Sequence, residues 1–121
     1  MFQGDINKLA KENKNFRKVI YTGENSQLVL MSILPNEDIG MEVHEGIDQI
    51  LFFVEGLGEA VVAGKSSNVK EGDVVFVPAG TQHNFTNIGK DDLKLYTIYS
   101  PPEHPDGTIH RTKADAMKDE E

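Results

Sequence analysis

The chain has 121 residues, 38% of them hydrophobic and 26% charged, the composition of a single globular domain and too apolar for a disordered chain. Twenty Asp and Glu against twelve Lys and Arg give a formal charge of −8. That sign repels phosphate backbones and anionic headgroups, so neither nucleic acid nor a membrane surface is expected as a partner. The absence of cysteine excludes disulfides, thiolate metal sites and cysteine nucleophiles together.

The polar, lysine-rich start MFQGDINKLAKENKNF has no apolar signal-peptide core, and no stretch approaches the ~20 apolar residues of a membrane span, so a cytoplasmic location is expected. Asp5 is a candidate N-cap for a short lead-in helix with Ile6, Leu9 and Ala10 on one face. From Phe16 onward, short runs of Val, Ile, Leu and Phe alternate with turn signals such as Gly56-Leu57-Gly58, Glu71-Gly72-Asp73 and Pro78-Ala79-Gly80. Strands are predicted at Arg17–Tyr21, Gln27–Leu34, Glu42–Glu45, Gln49–Glu55, Gly58–Ala63, Ser67–Val69, Asp73–Val77, His83–Asn87 and Leu93–Tyr99. No helical stretch long enough for a parallel crossover separates them, which leaves an all-β antiparallel sandwich or jelly roll with short helical or irregular termini. Three prolines in Ser100-Pro101-Pro102-Glu103-His104-Pro105-Asp106-Gly107 preclude a central strand, so residues 100–121 are expected to wrap across a core of about 26–99, the whole of 1–121 forming one domain. The segment from Lys113 to Glu121 reads as a short acidic helix.

Strand alternation puts Glu42 and His44 on one face, so both can point into one cavity; Gln49, which shares its face with Leu51 and Phe53, can join them from the next strand, and His83 with Phe85 from a distant one. Asp48 then points away from Gln49 and reads as a surface carboxylate. The aromatics Phe53, Phe76, Phe85, Tyr96 and Tyr99 are expected to pack the barrel, with Tyr99 the one to watch at a pocket. His104 and His110 lie among proline, glycine and charges and read as exposed histidines outside the site. Gly40, Gly56, Gly72 and Gly80 mark turns that need positive φ or close backbone approach.

The segment Gly72, Pro78, Gly80, His83, Asn87 fills every position of the second cupin motif, so the chain resembles the cupins from about Ser26 to Tyr99. In the first cupin motif, counting back from Gly56 places Gln49 where the glutamate usually stands, His44 at the second histidine and Glu42 at the first. The wider pattern is similar to small single-domain cupins of the mannose-6-phosphate isomerase-like kind. The resemblance implies a double-stranded β-helix (cupin jelly-roll barrel), usually a homodimer, with one divalent metal held by Glu42, His44, His83 and Gln49, the last either as a ligand or as a residue that orients His44. Two histidines, one glutamate and one glutamine carry the same charge of −1 as the usual three histidines and one glutamate, so the site reads as substituted rather than decayed. Nitrogen and oxygen donors of this kind accept Fe, Mn, Ni, Co or Zn.

The expected partner is a small, oxygen-rich molecule bound at the metal. Three outcomes stay open: a sugar-phosphate isomerase-like enzyme, with Tyr99 or an unligated Glu42 as its base; a metal-dependent dioxygenase; or a binding or sensing protein without turnover. Gln27–Leu34 is the strand expected to pair across the dimer.

Overall fold

A computed structural model describes residues 1–119. Among them, a short helix α1 (Ile6–Glu12) leads into β1 (Arg17–Thr22), β2 (Gln27–Ile33), β3 (Asp48–Glu55), β4 (Leu57–Val62), β5 (Lys65–Lys70), β6 (Val74–Val77), β7 (His83–Asn87), β8 (Leu93–Ser100) and β9 (Ile109–His110), followed by helix α2 (Lys113–Asp119). The strands form a six-stranded sheet, β6-β3-β8-β2-β1-β9, and a three-stranded sheet, β5-β4-β7, with antiparallel pairing throughout. The expected all-β architecture with short terminal helices is what forms.

Alternation along the strands decides the two faces of the larger sheet. Leu51 and Phe53 of β3, Val29, Met31 and Ile33 of β2, and Leu95 and Tyr99 of β8 point into one core, which the smaller sheet closes with Ala60, Val69 and Phe85. The Phe53 and Phe85 rings meet across the two sheets at 5.8 Å between centroids. The opposite face is covered by α1, whose Ala10 packs with Leu30 and Val54. Asp5 caps that helix as expected, accepting a hydrogen bond from the Lys8 N–H at 3.2 Å.

Four expectations are corrected by this arrangement. Glu42–Glu45 is not a strand: Glu42 makes a single bridge to His83, and Asp38 another to Thr86, because Gly40 at φ +106° breaks the run between them. Gln27–Leu34 is not a sheet edge, since β2 lies between β1 and β8 and is buried on both faces. Phe76 does not pack the barrel but lies 54% exposed on the edge strand β6, and Tyr96 stacks on Phe52 at 4.7 Å on the α1 side of the sheet. His110 is buried on β9 and His104 is half-buried, so neither tail histidine is the exposed residue that its surroundings in sequence suggest.

Gly56 shows why the turn glycines are needed. It sits at φ +96°, and a Cβ there would lie 2.8 Å from the Asp92 carbonyl oxygen. Any side chain would push the β3–β4 turn off the start of β8.

The tail is tied back at several points. β9 pairs with β1, placing His110 opposite Arg17, and Ala116 of α2 enters the main core. Gln27, 1% exposed, clamps the proline-rich segment through its side-chain amide. Its Nε2 donates to the His104 carbonyl at 2.7 Å and to Thr22 Oγ1 at 3.0 Å, while its Oε1 accepts from the Glu103 and His104 N–H groups at 3.2 and 3.0 Å. The wrapping tail thus becomes part of the barrel wall beside Tyr99.

Candidate metal centre

Glu42 and His83 face each other directly, because each donates its backbone N–H to the other's carbonyl at 2.9 Å. Residues paired in this way across antiparallel chains project to one side. His44 follows two residues on, with its backbone held by the Gly80 N–H at 2.9 Å and its ring 5.3 Å from that of His83. Its Nε2 is 3.3 Å from a Glu42 carboxylate oxygen, and its Nδ1 is 3.7 Å from Glu103. The structure therefore brings Glu42, His44 and His83 together although the segment around Glu42 is irregular.

His83 is only 3% exposed, and its Nδ1 lies 2.9 Å from the Thr81 carbonyl. A carbonyl only accepts, so Nδ1 carries a proton, and in the neutral ring Nε2 is the nitrogen that offers a lone pair to another partner. Asp48, which sequence alone reads as a surface carboxylate, accepts from the Ala79 N–H at 2.9 Å and so fixes the Pro78-Ala79-Gly80 turn ahead of this histidine.

Gln49 enters from β3, opposite Tyr99 in register, and is 3% exposed. Thr97 Oγ1 donates to the Ile50 carbonyl at 2.9 Å, so toward Gln49 it can only accept. It takes the Gln49 amide N–H at 3.2 Å, which sets the amide's orientation through the hydrogen-bond network. The other end, Gln49 Oε1, is a buried acceptor without a hydrogen-bond partner. Such an atom is costly unless something else supplies the missing contact.

Tyr99 is 2% exposed, with its ring edge-to-face against His44 at 5.7 Å and against His104 at 5.1 Å. Burial, above all, raises its pKa well beyond that of a free phenol, and the nearby Arg17 guanidinium only partly opposes the rise. The hydroxyl keeps its proton at neutral pH and is a donor rather than a base. His104 behaves in the complementary way: burial first, then the positive charge of Arg17, depress its pKa to about 3, so the ring is neutral. Arg17, Glu103 and His104 are neighbours of the site that sequence reasoning missed. The signal available for the first was a charged residue opening a strand that carries the apolar run Val19-Ile20-Tyr21.

Among the described residues, no group of three His, Cys, Asp or Glu converges closely enough to hold a metal by itself. The side chains present nevertheless fit a divalent cation in donor type: a carboxylate, two neutral-capable imidazoles, and a buried amide oxygen that lacks a partner.

Residues 29–99, more than half of the chain, match the Cupin domain family. The chain belongs to the cupins. Over 127 aligned residues this cupin is 46% identical to the uncharacterized protein YrkC of Bacillus subtilis, an alignment covering 99% of the chain and 68% of that relative. The crystal structure of BH2720 from Bacillus halodurans superposes with a TM-score of 0.96 at 42% identity, covering 97% of this chain and 93% of that one. A more distant relative, 32% identical over 68 residues that make up 56% of either chain, is the oxalate-binding protein of Thermotoga maritima. No helix among the described residues is long and apolar enough to cross a membrane.

Proposed function

We propose that this cupin binds one divalent metal ion through Glu42, His44, His83 and the Gln49 amide oxygen, and uses it to hold a small oxygen-rich ligand. The observation that carries the reading is Gln49 Oε1, a buried acceptor whose own amide N–H is anchored on Thr97 and which has no partner. A cation fills that need directly. When bound, the metal supplies Lewis acidity toward a ligand oxygen. The chain's own contributions are distinct from it: Thr81 sets the His83 tautomer, Thr97 aims the Gln49 oxygen, and the Tyr99 hydroxyl stands as a neutral donor packed on His44. The named binding of oxalate by a relative supports a ligand with closely spaced oxygens.

Of the two enzymatic alternatives, the mannose-6-phosphate isomerase-like one needs a base, and Tyr99 does not supply it because burial holds its proton in place. Glu42, if released from a metal, is the remaining candidate from the original pair. The dioxygenase alternative needs a redox-active metal such as iron or manganese. Ligand binding without turnover needs neither and is the favoured reading.

A homodimer belongs to the same proposal, with its contact moved from β2 to β6. That strand is an edge of the larger sheet and exposes Val74 and Phe76 at 57% and 54%.

The test is elemental analysis of untagged protein purified without chelators. Near-stoichiometric metal in the wild type, lost in His83→Ala and Glu42→Ala and reduced in Gln49→Leu, supports the centre. Metal-free wild type that also fails to take up Zn, Mn, Fe, Co or Ni on titration refutes it. Iron or manganese makes the dioxygenase testable, whereas zinc excludes it.

A further inference from the structure

Glu103 lies in the proline-rich tail, beyond the residues that match the cupin family, yet its carboxylate is 3.7 Å from His44 Nδ1. The His44 ring therefore stands between two carboxylates, with Glu42 3.3 Å from the other nitrogen, Nε2. The two carboxylates come from different parts of the fold. Glu42 is paired by its backbone to His83 and borders a cavity of about 170 Å³ under α2, whereas Glu103 reaches the ring from the tail.

The barrel fixes where Glu103 stands. Its N–H donates to Gln27 Oε1 at 3.2 Å, the His104 N–H donates to the same oxygen at 3.0 Å, and Pro102 and Pro105 restrict the chain on either side. Gln27 and Gln49 are both paired in register with Tyr99, one on each side of β8, so the clamp, the tyrosine and the candidate amide donor form one row across the larger sheet. Tyr99 in turn packs on the His44 ring. The tail carboxylate is thus anchored on the same row of residues that carries Gln49 Oε1.

We infer that Glu103 is the positioning residue of His44: in the loaded centre it keeps the imidazole proton on Nδ1 and leaves Nε2 for the metal, and so makes metal retention depend on the docked tail. The inference rests on the metal-centre reading and adds a regulatory element to it. Histidine ligands as a rule commit their second ring nitrogen to a carboxylate or a carbonyl, which fixes the tautomer and raises the basicity of the ligating nitrogen. His83 already follows that rule, with Nδ1 on the Thr81 carbonyl at 2.9 Å. For His44, Glu42 draws the same proton toward Nε2; a cation taken up by Glu42 and Nε2 removes this competitor and leaves Nδ1–H facing Glu103. At 3.7 Å the contact is an ion pair rather than a hydrogen bond, so its strength depends on how firmly the tail is held, which is the task of Gln27.

The test measures zinc affinity by competition with a chromophoric chelator and reads the imidazole nitrogens of zinc-loaded, isotope-labelled protein by NMR, for wild type, Glu103→Ala, Glu103→Gln and Gln27→Leu. Glu103→Ala is expected to bind zinc about 10–100-fold more weakly, the usual effect of removing the partner of a histidine ligand. Glu103→Gln, which keeps an acceptor oxygen without the charge, recovers part of the loss, and Gln27→Leu falls between wild type and Glu103→Ala. In the loaded wild type His44 shows a slowly exchanging Nδ1–H that disappears in Glu103→Ala, while the Nδ1–H of His83, held by Thr81, persists in every variant as the internal control. A proton on His44 Nε2 in the loaded wild type, or unchanged zinc affinity in Glu103→Ala, overturns the assignment. Glu103→Gln as weak as Glu103→Ala reduces the effect to charge at a distance and overturns it too, and unchanged affinity in Gln27→Leu overturns the dependence on the tail. Zinc-loaded wild type beside an unaffected Glu103→Ala refutes Glu103 alone, whereas wild type that takes up no zinc and none of the other metals refutes the centre and this role together.

Discussion

Replacing Gln27 with leucine tests how far the tail is a structural part of the site. The substitution keeps the volume at a 1% exposed position and removes four hydrogen bonds, three of them to the backbone of Glu103 and His104. At about 0.5–1.5 kcal/mol net for each of the four, the loss is about 2–6 kcal/mol, with the tail groups left unpaired beside an apolar side chain favouring the upper part. Unfolding entropy near 2.1 cal/mol/K per residue gives about 0.25 kcal/mol/K for a chain of this length, so the midpoint of thermal unfolding falls by about 8–24 °C. Differential scanning calorimetry reads the midpoint, and urea titration followed by circular dichroism reads the free energy. Amide exchange should show Glu103 and His104 losing protection while β2 and β8 keep theirs. A midpoint within 4 °C of wild type, or unchanged protection at Glu103 and His104, refutes the assignment of Gln27 as the clamp that holds these residues beside Tyr99 and His44.

Other parts of the structure give separate expectations. Because His104 has a folded pKa near 3 against 6.5 when unfolded, the unfolded chain binds the extra proton across that interval; stability is therefore full above pH 6.5 and declines as pH falls toward 3. His104→Gln should flatten that decline in urea titrations run between pH 4 and 7, and an unchanged slope counts against a buried neutral imidazole. Asp38, held below the usual carboxylate range first by the Lys113 ammonium and then by the Asn84 amide, ties the entrance of α2 to the segment before Glu42. Asp38→Asn should raise exchange and protease cleavage across Lys113–Asp119 while costing only about 1 kcal/mol globally, the scale of a half-exposed pair; equal protection in the two proteins refutes the tie. Val74→Lys with Phe76→Lys should shift light-scattering mass from dimer to monomer, and a dimer that survives both changes places the contact elsewhere than β6.

The strand framework was legible because the strands are short and bounded by residues that force turns; several alternate, and β2, buried at six of its seven positions, reads as an apolar run. Gly40, Gly56, Gly72 and Gly80 all adopt positive φ, as their setting in the sequence suggests. The motif spacing around His83 and the two-residue offset of Glu42 and His44 also located three candidate donors, even though the supposed strand 42–45 reduces to a single bridge at Glu42. What could not be read was the far side of the site. Gln27 reaches residues 76 and 77 positions away, and Arg17 meets His110 across 93 positions, so no local pattern registers either contact. The available hint lay in composition within single strands: Arg17 and Gln27 are polar residues heading β1 and β2, and a polar residue at the mouth end of an apolar strand has to find its partner in whatever covers that mouth. The same reasoning explains the error on His104 and His110, whose proline-rich and charged surroundings describe the outside of the tail and not the face that is pressed on Tyr99 and Arg17.

The positions of Glu42 and Gln49 explain why the site has its carboxylate where it does. Gln49 is 3% exposed on a central strand, walled by Thr97 and Tyr99, while the Glu42 side chain is 26% exposed beside the cavity under α2. A carboxylate at the drier position loses more hydration than one at the wetter position, and without a cation it would be driven toward its protonated form. A neutral amide at Gln49 avoids that cost, keeps an oxygen aimed inward, and is oriented by a single threonine whose own proton is committed to the Ile50 carbonyl. Moving the negative charge to Glu42 sets it 3.3 Å from His44 Nε2, at the more hydrated of the two positions. The arrangement thus keeps the carboxylate where water still reaches it and leaves the dry position to a neutral oxygen donor, the order that the hydration cost of a charge dictates.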